Sequence, residues 1–448
     1  MIRSKYYHNT MRADDMNPND YITQTMNQFT ELFSEPALNQ LGKDINFSKR
    51  DRDITSYRLS MAVITVLANH SIDSIADIHR GFNALFDKDV EYKPFHNQLV
   101  KNAFPELMRH MLNQLLNGFA LQALSFNSDS PFAKFSSILL QDGSSFAINP
   151  KLSDVFPGRF NRYTPAAVEL HVTVDLLSEC PQSITLTPDT TSEPQFLPDV
   201  GELLDTLVMG DRGYVKKEYI HQVVKHPSVS CIIKGKSSMN PLVKRVLLED
   251  GREVKAWRNQ PLKDIKHKLR KTSVMDMDIQ WKDEKEWFEC RLIVSWNPQG
   301  NYYQYLITDL SRDTFSTEHI INAYRLRWQI ELMFKEWKSH ANLQAFTTEK
   351  ASIVEGLIWG SLCAAILKRY MAHVTQKVSH KAISTRKVAK SGAYFMMELM
   401  RTLIEAPQNL MAALTKIIKF LSGNAKRDSV RRDRMDGRSK LGLEAFFG

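Results

Sequence analysis

The chain has 448 residues, 43% of them hydrophobic, and its 59 Lys and Arg residues exceed its 50 Asp and Glu residues to give a formal net charge of +9. This composition can bury a sizeable interior and argues against a largely disordered chain, and the length predicts about two to four domains. The basic excess favours a polyanionic partner, although charge alone identifies none.

Neither cysteine spacing nor hydropathy indicates zinc, disulfides or a membrane. Four cysteines are far apart in the sequence: Cys180, Cys231, Cys290 and Cys363. Because no Cys-x-x-Cys or Cys/His pair occurs, we interpret them as reduced thiols in a cytosol-like compartment. The N-terminus has no signal-peptide apolar core, and the apolar segment 353–374 is interrupted by Glu355, Lys368 and Arg369. That segment predicts a buried helix in a soluble protein, with no membrane partner.

The N-terminal quarter of the chain is predicted to be helical. Residues 1–20 are polar and are expected to be flexible. Over 21–130, apolar residues at three- and four-residue spacing predict helices, with Ser74 as a cap and Pro94 as a break. Basic residues are spread over these short helices: Lys49, Arg50, Arg52, His79, Arg80, Lys93 and Lys101. They favour a helical DNA-binding domain, and the alternative is a helical domain that only packs against its neighbour.

From residue 131 the pattern changes to strands and helices. Strands are predicted at 137–140, 168–177, 183–186, 207–209 and 228–234, and helices at 200–206 and 216–224. This order predicts an α/β core over 131–235.

The next segment, 236–312, is rich in strand-like runs joined by hairpin-type turns at Asp250-Gly251 and Pro298-Gln299-Gly300. We interpret it as a β-rich insertion. The core is predicted to resume over 313–375, with helices at 317–338 and 353–374. A C-terminal helical region over 376–422 contains a predicted helix at 393–420. The basic tail, 423–448, is expected either to be solvated or to lie on DNA.

Four residues share one face of the predicted helix 317–338. At about 100° per residue, Arg327, Glu331 and Lys338 lie near 300°, 340° and 320° relative to Tyr324. An apolar stripe, formed by Leu326, Ile330, Met333 and Trp337, lies apart from them. The polar face therefore presents a carboxylate flanked by two cations and a phenol. By itself this pattern also fits a solvated helix face.

Two further acids follow apolar strands. Asp142 follows SSILLQ, and Asp211 follows LLDTLVMG. Acids at strand ends lie at the rim of a sheet, where open α/β folds place their sites. With Glu331 they would form a set of three carboxylates, which suits Mg²⁺ or Mn²⁺. Two such ions can support an in-line phosphoryl displacement, and Arg327 and Lys338 would hold the phosphate backbone. Singly, Asp142 could instead begin a turn and Asp211 could cap a helix.

This combination resembles the DDE transposases with a ribonuclease-H-like core. More narrowly, it resembles the insertion-sequence-four transposases, which carry a Tyr-x2-Arg-x3-Glu-x6-Lys signature. Tyr324, Arg327, Glu331 and Lys338 match that spacing, while QDGSS around Asp142 and GDRGY around Asp211 resemble the first two acidic motifs. The resemblance implies an α/β fold with a ribonuclease-H-like mixed sheet, a β-rich insertion and an all-α N-terminal domain.

The resemblance also implies a function. Asp142, Asp211 and Glu331 would be the catalytic residues and would bind two divalent metal ions, Mg²⁺ or Mn²⁺. The protein would bind the inverted-repeat ends of its element, cleave them, often through a DNA hairpin, and join them to target DNA. It would act as a homodimer on double-stranded DNA, in the cytoplasm of a bacterium and associated with the nucleoid. Tyr324, Arg327, Lys338 and Arg212 would contact DNA.

For two parts of this implied function, the resemblance does not say which residues take part. Hairpin formation needs an aromatic ring for a flipped base. The family's Trp before the last strand is replaced here by NYYQYLITD, so Tyr303, Tyr305 and Trp296 are the candidates. A basic cluster either contacts DNA or is only exposed: Lys263, Lys266, His267, Lys268, Arg270 and Lys271. The alternative functions are another metal-dependent DNA nuclease or resolvase on the same core, or an inactive DNA-binding descendant.

Overall fold

The computed structural model describes residues 17–50, 52–69, 72–160, 162–284, 286–343, 347–427 and 438–447. Most of the predicted flexible N-terminus and the middle of the predicted basic tail lie outside these residues.

Six α-helices form the described N-terminal region, as the periodicity predicts. They are α1 (Pro18–Leu32), α2 (Glu35–Asp44), α3 (Ser56–Leu67), α4 (Ile75–Phe86), α5 (Tyr92–Leu99) and α6 (Ala103–Gly118). The backbone N–H of Ser74 donates to Asp77 Oδ2 at 2.9 Å, which fixes the start of α4 as expected. Pro94 does not break a helix. It lies in the first turn of α5, where its missing N–H costs no intrahelical bond.

A mixed sheet forms the centre of the molecule. Its strands are β2 (Ser137–Ala147), β3 (Pro157–Phe160), β4 (Thr164–Asp175), β5 (Cys180–Pro188), β6 (Thr206–Gly210), β7 (Val229–Lys234), β8 (Leu242–Leu248), β9 (Gln260–Pro261), β10 (Met275–Asp283), β11 (Glu286–Asn297) and β12 (Tyr302–Thr308). They pair in the order β3-β4-β2-β6-β7-β12-β11-β10-β8-β9, and β5 pairs with β4. Separately, β1 (Leu124–Phe126) pairs with β13 (Leu443–Ala445).

The pairing directions divide the sheet into two parts. Strands β2, β6 and β7 are parallel, whereas β4 and β5 run antiparallel to their neighbours. Strands β8 to β12 come from the segment predicted as a β-rich insertion, and β12 pairs antiparallel with β7. The insertion therefore extends the core sheet at one edge.

The remaining α-helices pack on the sheet or on other helices. They are α7 (Lys217–Lys225), α8 (Leu262–Ile265), α9 (Thr317–Leu326), α10 (Trp328–His340), α11 (Ala351–Ser379), α12 (Thr385–Lys390), α13 (Gly392–Glu405) and α14 (Leu410–Asn424). Helix α11 is long and apolar enough to cross a membrane, but 83% of its apolar window is buried inside the fold. It packs against α1, α3, α6 and α14, so the predicted buried core helix is confirmed.

Three predicted elements differ from the observed ones. The predicted helix 200–206 is only a 3₁₀ turn at Val200–Glu202. The chain leaves the helical range at Leu203, whose φ and ψ of −95° and 146° are extended, and Leu204 is 70% exposed. The predicted helix 317–338 is interrupted at Arg327, and the predicted helix 393–420 is divided into α13 and α14 by Pro407.

Candidate active site

Asp142 and Asp211 follow paired positions of two neighbouring parallel strands. The ladder between β2 and β6 ends with Gln141 opposite Gly210, so Asp142 is the next residue of β2 and Asp211 is the first residue after β6. The sequence interpretation placed Asp142 just past a strand, which is wrong. Strand β2 continues to Ala147 because β4 pairs with it along this whole stretch, and Asp142 lies opposite Val172.

Two glycines beside these acids are required by close approach. A Cβ at Gly143 would lie 2.5 Å from Glu169 Oε1, and a Cβ at Gly213 would overlap Glu193. Gly143 also donates its backbone N–H to Asp142 Oδ1 at 3.0 Å. The glycines in QDGSS and GDRGY therefore make room for a second layer of acids behind the candidate site.

The four residues of the Tyr-x2-Arg-x3-Glu-x6-Lys spacing, called here the motif residues, all face β2 and β6. Tyr324 donates its hydroxyl to Asp211 Oδ1 at 3.1 Å. Arg327 donates from Nη1 to Asp142 Oδ2 at 2.8 Å and from Nη2 to Glu331. Lys338 donates from Nζ to the backbone carbonyl of Ser145 at 2.9 Å.

The break between α9 and α10 does not disturb this face. Arg327 keeps φ and ψ of −54° and −28°, within the helical range, so the chain continues in nearly the same direction. Ile330 and Trp337 are buried on the other side, as the apolar stripe predicts. The prediction of one shared polar face is therefore confirmed, although the helix is not continuous.

The acids at this position have unequal proton affinities. Burial, helped by the charges of Asp211 and Glu331, raises the pKa of Asp142 to about 6 against the lowering effects of Arg327 and the Gly143 N–H. Burial also acts to raise the pKa of Asp211, but the nearby Lys234 ammonium, the Arg212 backbone N–H and Arg327 outweigh it and leave that pKa below its ordinary value. Each buried acid thus depends on neighbouring cations to stay ionised.

The three carboxylates provide the oxygen ligands that a hard divalent cation prefers, but their spacing in the structure is not that of a metal site. Among the residues that the structure describes, no three His, Cys, Asp or Glu side chains form a group that could hold a metal ion. The Arg327 guanidinium instead bridges Asp142 and Glu331, with only 11% of its side chain exposed. The protein's own cation thus stands between two carboxylates of the donor set that Mg²⁺ prefers.

Lys234 is a site residue that the sequence analysis missed. It is the last residue of β7, and its Nζ lies 3.6 Å from Asp211 Oδ1. Because Gly210 pairs with Ile233 in the parallel ladder between β6 and β7, the next residues, Asp211 and Lys234, become neighbours. The sequence shows a lysine directly after the apolar run SCII. Its position beside Asp211 follows only from the order of the strands in the sheet.

The predicted aromatic candidates lie on β11 and β12. Trp296 and Tyr303 face each other across the two strands, with ring centroids 4.9 Å apart. Tyr305 is only 6% exposed and belongs to the core on the α7 side of the sheet, which leaves its ring little free surface. The exposed ring linked to the acids is Tyr302, which is 41% exposed, with Lys234 Nζ 5.6 Å from its centroid.

Of the other residues predicted to contact DNA, some are exposed and others contact the protein itself. Arg212 is exposed in the turn after Asp211. In the basic cluster after Pro261, Lys266 donates to the carbonyl of Met239 at 3.2 Å, and Lys271 lies 4.1 Å from the Trp296 ring centroid. Those two lysines therefore stabilise the insertion.

Comparison with known proteins gives a consistent set of relatives. The family model described as Transposase DDE domain matches residues 133–367, just over half of the chain. The transposase for insertion sequence element IS1151 of Clostridium perfringens is 18% identical, over 90% of this chain and 91% of that protein. The transposase for IS231D of Bacillus thuringiensis subsp. finitimus is 22% identical, over 91% and 93%.

Two further matches are more limited. The putative transposase InsL for IS186A of Escherichia coli is 42% identical over 62 residues, which is 14% of this chain and 17% of that protein. Among solved structures, the piggyBac transposase in a synaptic complex with hairpin DNA aligns with 94% of this chain and 88% of that chain. Its TM-score is 0.46, at 12% identity.

Proposed function

This chain belongs to the family of transposases with a DDE domain, and we propose that Asp142, Asp211 and Glu331 are the acids with which it cuts DNA. It is a transposase, an enzyme that cleaves and transfers DNA. We propose that its substrates are the inverted-repeat ends of its own insertion sequence and a target duplex. The observation that carries the assignment of residues is the Arg327 bridge, which joins acids from β2 and α10 that are far apart in the sequence.

The family depends on divalent metal ions, and Mg²⁺ or Mn²⁺, as two ions, fits the proposed trio of acids. When bound, such ions activate the attacking oxygen and stabilise the leaving oxygen in an in-line displacement at phosphorus. For the trio to serve as ligands, Arg327 must exchange its carboxylate partners for another anion. A DNA phosphate oxygen is the natural replacement, because a guanidinium binds phosphate with two parallel hydrogen bonds.

The neighbouring side chains are proposed to orient the DNA. Tyr324 holds Asp211 through its hydroxyl, and Lys234 stands on the other side of that acid. Lys338, an exposed ammonium, is bonded only to the Ser145 carbonyl in the described structure and is well placed to bind a phosphate. Arg212 is exposed at the same edge of the sheet.

If the reaction passes through a hairpin, a flipped base needs a ring to stack on. We propose Tyr302 for this role in preference to Trp296, Tyr303 and Tyr305. Its ring is exposed, and Lys234 connects it to Asp211. Tyr303 is held by its hydroxyl bond to the Leu269 carbonyl at 2.8 Å.

The proposed assembly follows from the chemistry. Two element ends must be cut together, so a homodimer with two active sites is proposed for the DNA complex. The N-terminal helices and the 423–448 tail are proposed to add DNA contacts. A transposase acting on chromosomal DNA would be found with the bacterial nucleoid.

Glu331→Gln tests the assignment directly. We expect this variant to bind end DNA as the wild type does and to lose strand cleavage in Mg²⁺, because the amide keeps the shape but not the charge needed for a metal ligand. Binding and cleavage are measured on one labelled duplex from the flank of the reading frame. Glu318→Gln is the matched control, since Glu318 is an exposed acid on α9 paired with Lys440. Cleavage by Glu331→Gln at the wild-type rate would disprove the metal-ligand role.

A further inference from the structure

A basic groove of about 960 Å³ lies beside α10, on the face next to the one that carries Glu331 and Lys338. Helix α10 forms one wall, and α12 with Arg427 and Arg438 forms the other. Among the described residues, the cations that line it are Lys335, Arg369, Arg386, Lys387, Lys390, Arg427 and Arg438. The acids in the same described lining are Glu179 and Glu336.

Buried arginines already engage both acids. Arg369 pairs with Glu336 at 3.0 Å and is 6% exposed. Arg438 pairs with Glu179 at 3.2 Å and is 4% exposed, and Arg427 lies 3.6 Å from the same carboxylate. Among the described lining residues, cations therefore still outnumber acids.

Two kinds of unused donor remain in the groove. In the part of the chain that the structure describes, the Nε–H groups of Arg369 and Arg438 are buried without a hydrogen-bond partner. Both arginines line the groove, and a buried donor left unpaired is unfavourable, so an acceptor that reached either one would be bound favourably. Lys335 and Arg386 are exposed, and neither has an ion pair with a described carboxylate.

The α10 wall of the groove carries exposed apolar and aromatic side chains. Trp328 is 45% exposed and Leu332 is 41% exposed. Lys335 Nζ lies 4.5 Å from the Trp328 ring centroid. Cations combined with an exposed aromatic ring are typical of surfaces that bind nucleic-acid strands.

The groove also lies next to the candidate active site. Leu332 and Ser339 line it and directly follow Glu331 and Lys338, and Leu140 precedes Asp142 by two residues on β2. A strand held at the acids therefore has a positively charged path beside it.

We propose that this groove binds the phosphate backbone of a DNA segment next to the one being cut. The inference rests on the proposed function only in taking DNA as the substrate. An acidic protein segment would also be attracted to these cations. It would not explain why they lie next to the acids that are proposed to cut DNA.

The double variant Lys335→Gln with Arg386→Gln tests the proposal. Both side chains are exposed, so the fold should be retained, and circular dichroism checks this. Dissociation constants for a short duplex are measured over a range of salt concentrations without divalent metal. Each lost phosphate contact lowers the slope of log K against log salt by about 0.9, so we expect a decrease of about 2. The control, Lys416→Gln with Lys419→Gln, removes the same charge from the exposed side of α14 and should leave the slope unchanged.

Two duplexes distinguish the source of the bound segment. One carries an element end from the flank of the reading frame, and the other has an arbitrary sequence. A loss confined to the first assigns the groove to the element end, and an equal loss on both assigns it to any duplex, as a target would require. Either result supports the proposal.

If the double variant has the same salt slope as the wild type on both duplexes, the proposal is overturned. If the wild-type protein cleaves DNA in Mg²⁺ in that case, the proposed function still stands. Light scattering of both variants without DNA provides a second criterion. Weaker self-association with an unchanged slope would make the groove an interface between copies, which also overturns it. Absence of both binding and cleavage in the wild type would instead disprove the proposed function.

Discussion

Arg327 is the single residue that connects the carboxylates of the candidate site. Its guanidinium bridges Asp142 and Glu331 and is largely buried. Such a bridge needs the two-pronged geometry of arginine, which the single ammonium of lysine cannot provide. Without it, two carboxylates would repel each other in a partly desolvated place, where charge interactions are stronger than in water. The side chain therefore holds the two carboxylates together and also competes with any cation that approaches them.

Arg327→Gln should tighten the binding of divalent ions to the DNA-free protein. The variant removes the competing cation, so we expect several-fold stronger Mn²⁺ binding, measured by electron paramagnetic resonance of the free ion. Arg325→Gln is the control, because Arg325 is exposed on the same helix and contacts Asn322 instead of an acid. Equal Mn²⁺ affinity in the wild type and Arg327→Gln would show that the guanidinium does not compete for this position.

The sequence was sufficient for the motif residues but not for their surroundings. Helical periodicity put Tyr324, Arg327, Glu331 and Lys338 on one face because that face depends only on local geometry. Lys234 and Tyr302 could not be chosen in the same way. Lys234 approaches Asp211 only through the β6–β7 register, and Tyr302 is connected to the site only through Lys234. Both relations are set by the tertiary arrangement of strands.

Among the elements, strands and helices differed in how well the sequence predicted them. The ribonuclease-H-like mixed sheet is confirmed, because its apolar runs are short and bounded by turns. The length of β2 was underestimated, since DGSS has weak strand propensity and is held extended by pairing with β4. Helix α11 was predicted from its apolar length, and its packing depends on two glycines, Gly356 against Phe104 of α6 and Gly360 against Val63 of α3.

Gly356→Ala should destabilise the protein by about 1–3 kcal/mol. A Cβ at this position of α11 would overlap the ring of Phe104 on α6, and forced overpacking in a dense core has this cost. The free energy of unfolding is measured by urea denaturation. Gly423→Ala on α14 is the matched control, because its Cβ would meet nothing within 4 Å and should be neutral or slightly stabilising. Similar effects of both substitutions would show that α11 and α6 are less tightly packed than described.

In the whole molecule, the sheet and a buried charge network connect the insertion to the candidate site. Arg291 on β11 makes two 2.8 Å hydrogen bonds to Asp276 on β10. It also donates to the carbonyl of Phe315 at 2.7 Å, just before α9 begins. Arg312 binds the same acid from the connecting loop. The helix that carries Tyr324 is therefore positioned partly by the insertion, so strands that carry none of the three acids contribute to the geometry of the site.

Asp276→Asn should destabilise the whole protein by about 3 kcal/mol, because Arg291 is buried and would lose its charged partner. Burial acts to raise the pKa of Asp276, but the bonds from Arg291 and Arg312 leave it below its ordinary value. A lowered folded pKa contributes stability above the unfolded value, about 3.9, and that contribution is lost as pH falls through the folded pKa. The difference in unfolding free energy between wild type and variant, measured by urea denaturation, should therefore have its full value at pH 7 and shrink in strong acid.

Asp278→Asn is the control. It removes a more exposed partner of Arg312 alone and should lower the unfolding free energy by less. A pH-independent difference would show that Asp276 acts by shape and not by charge.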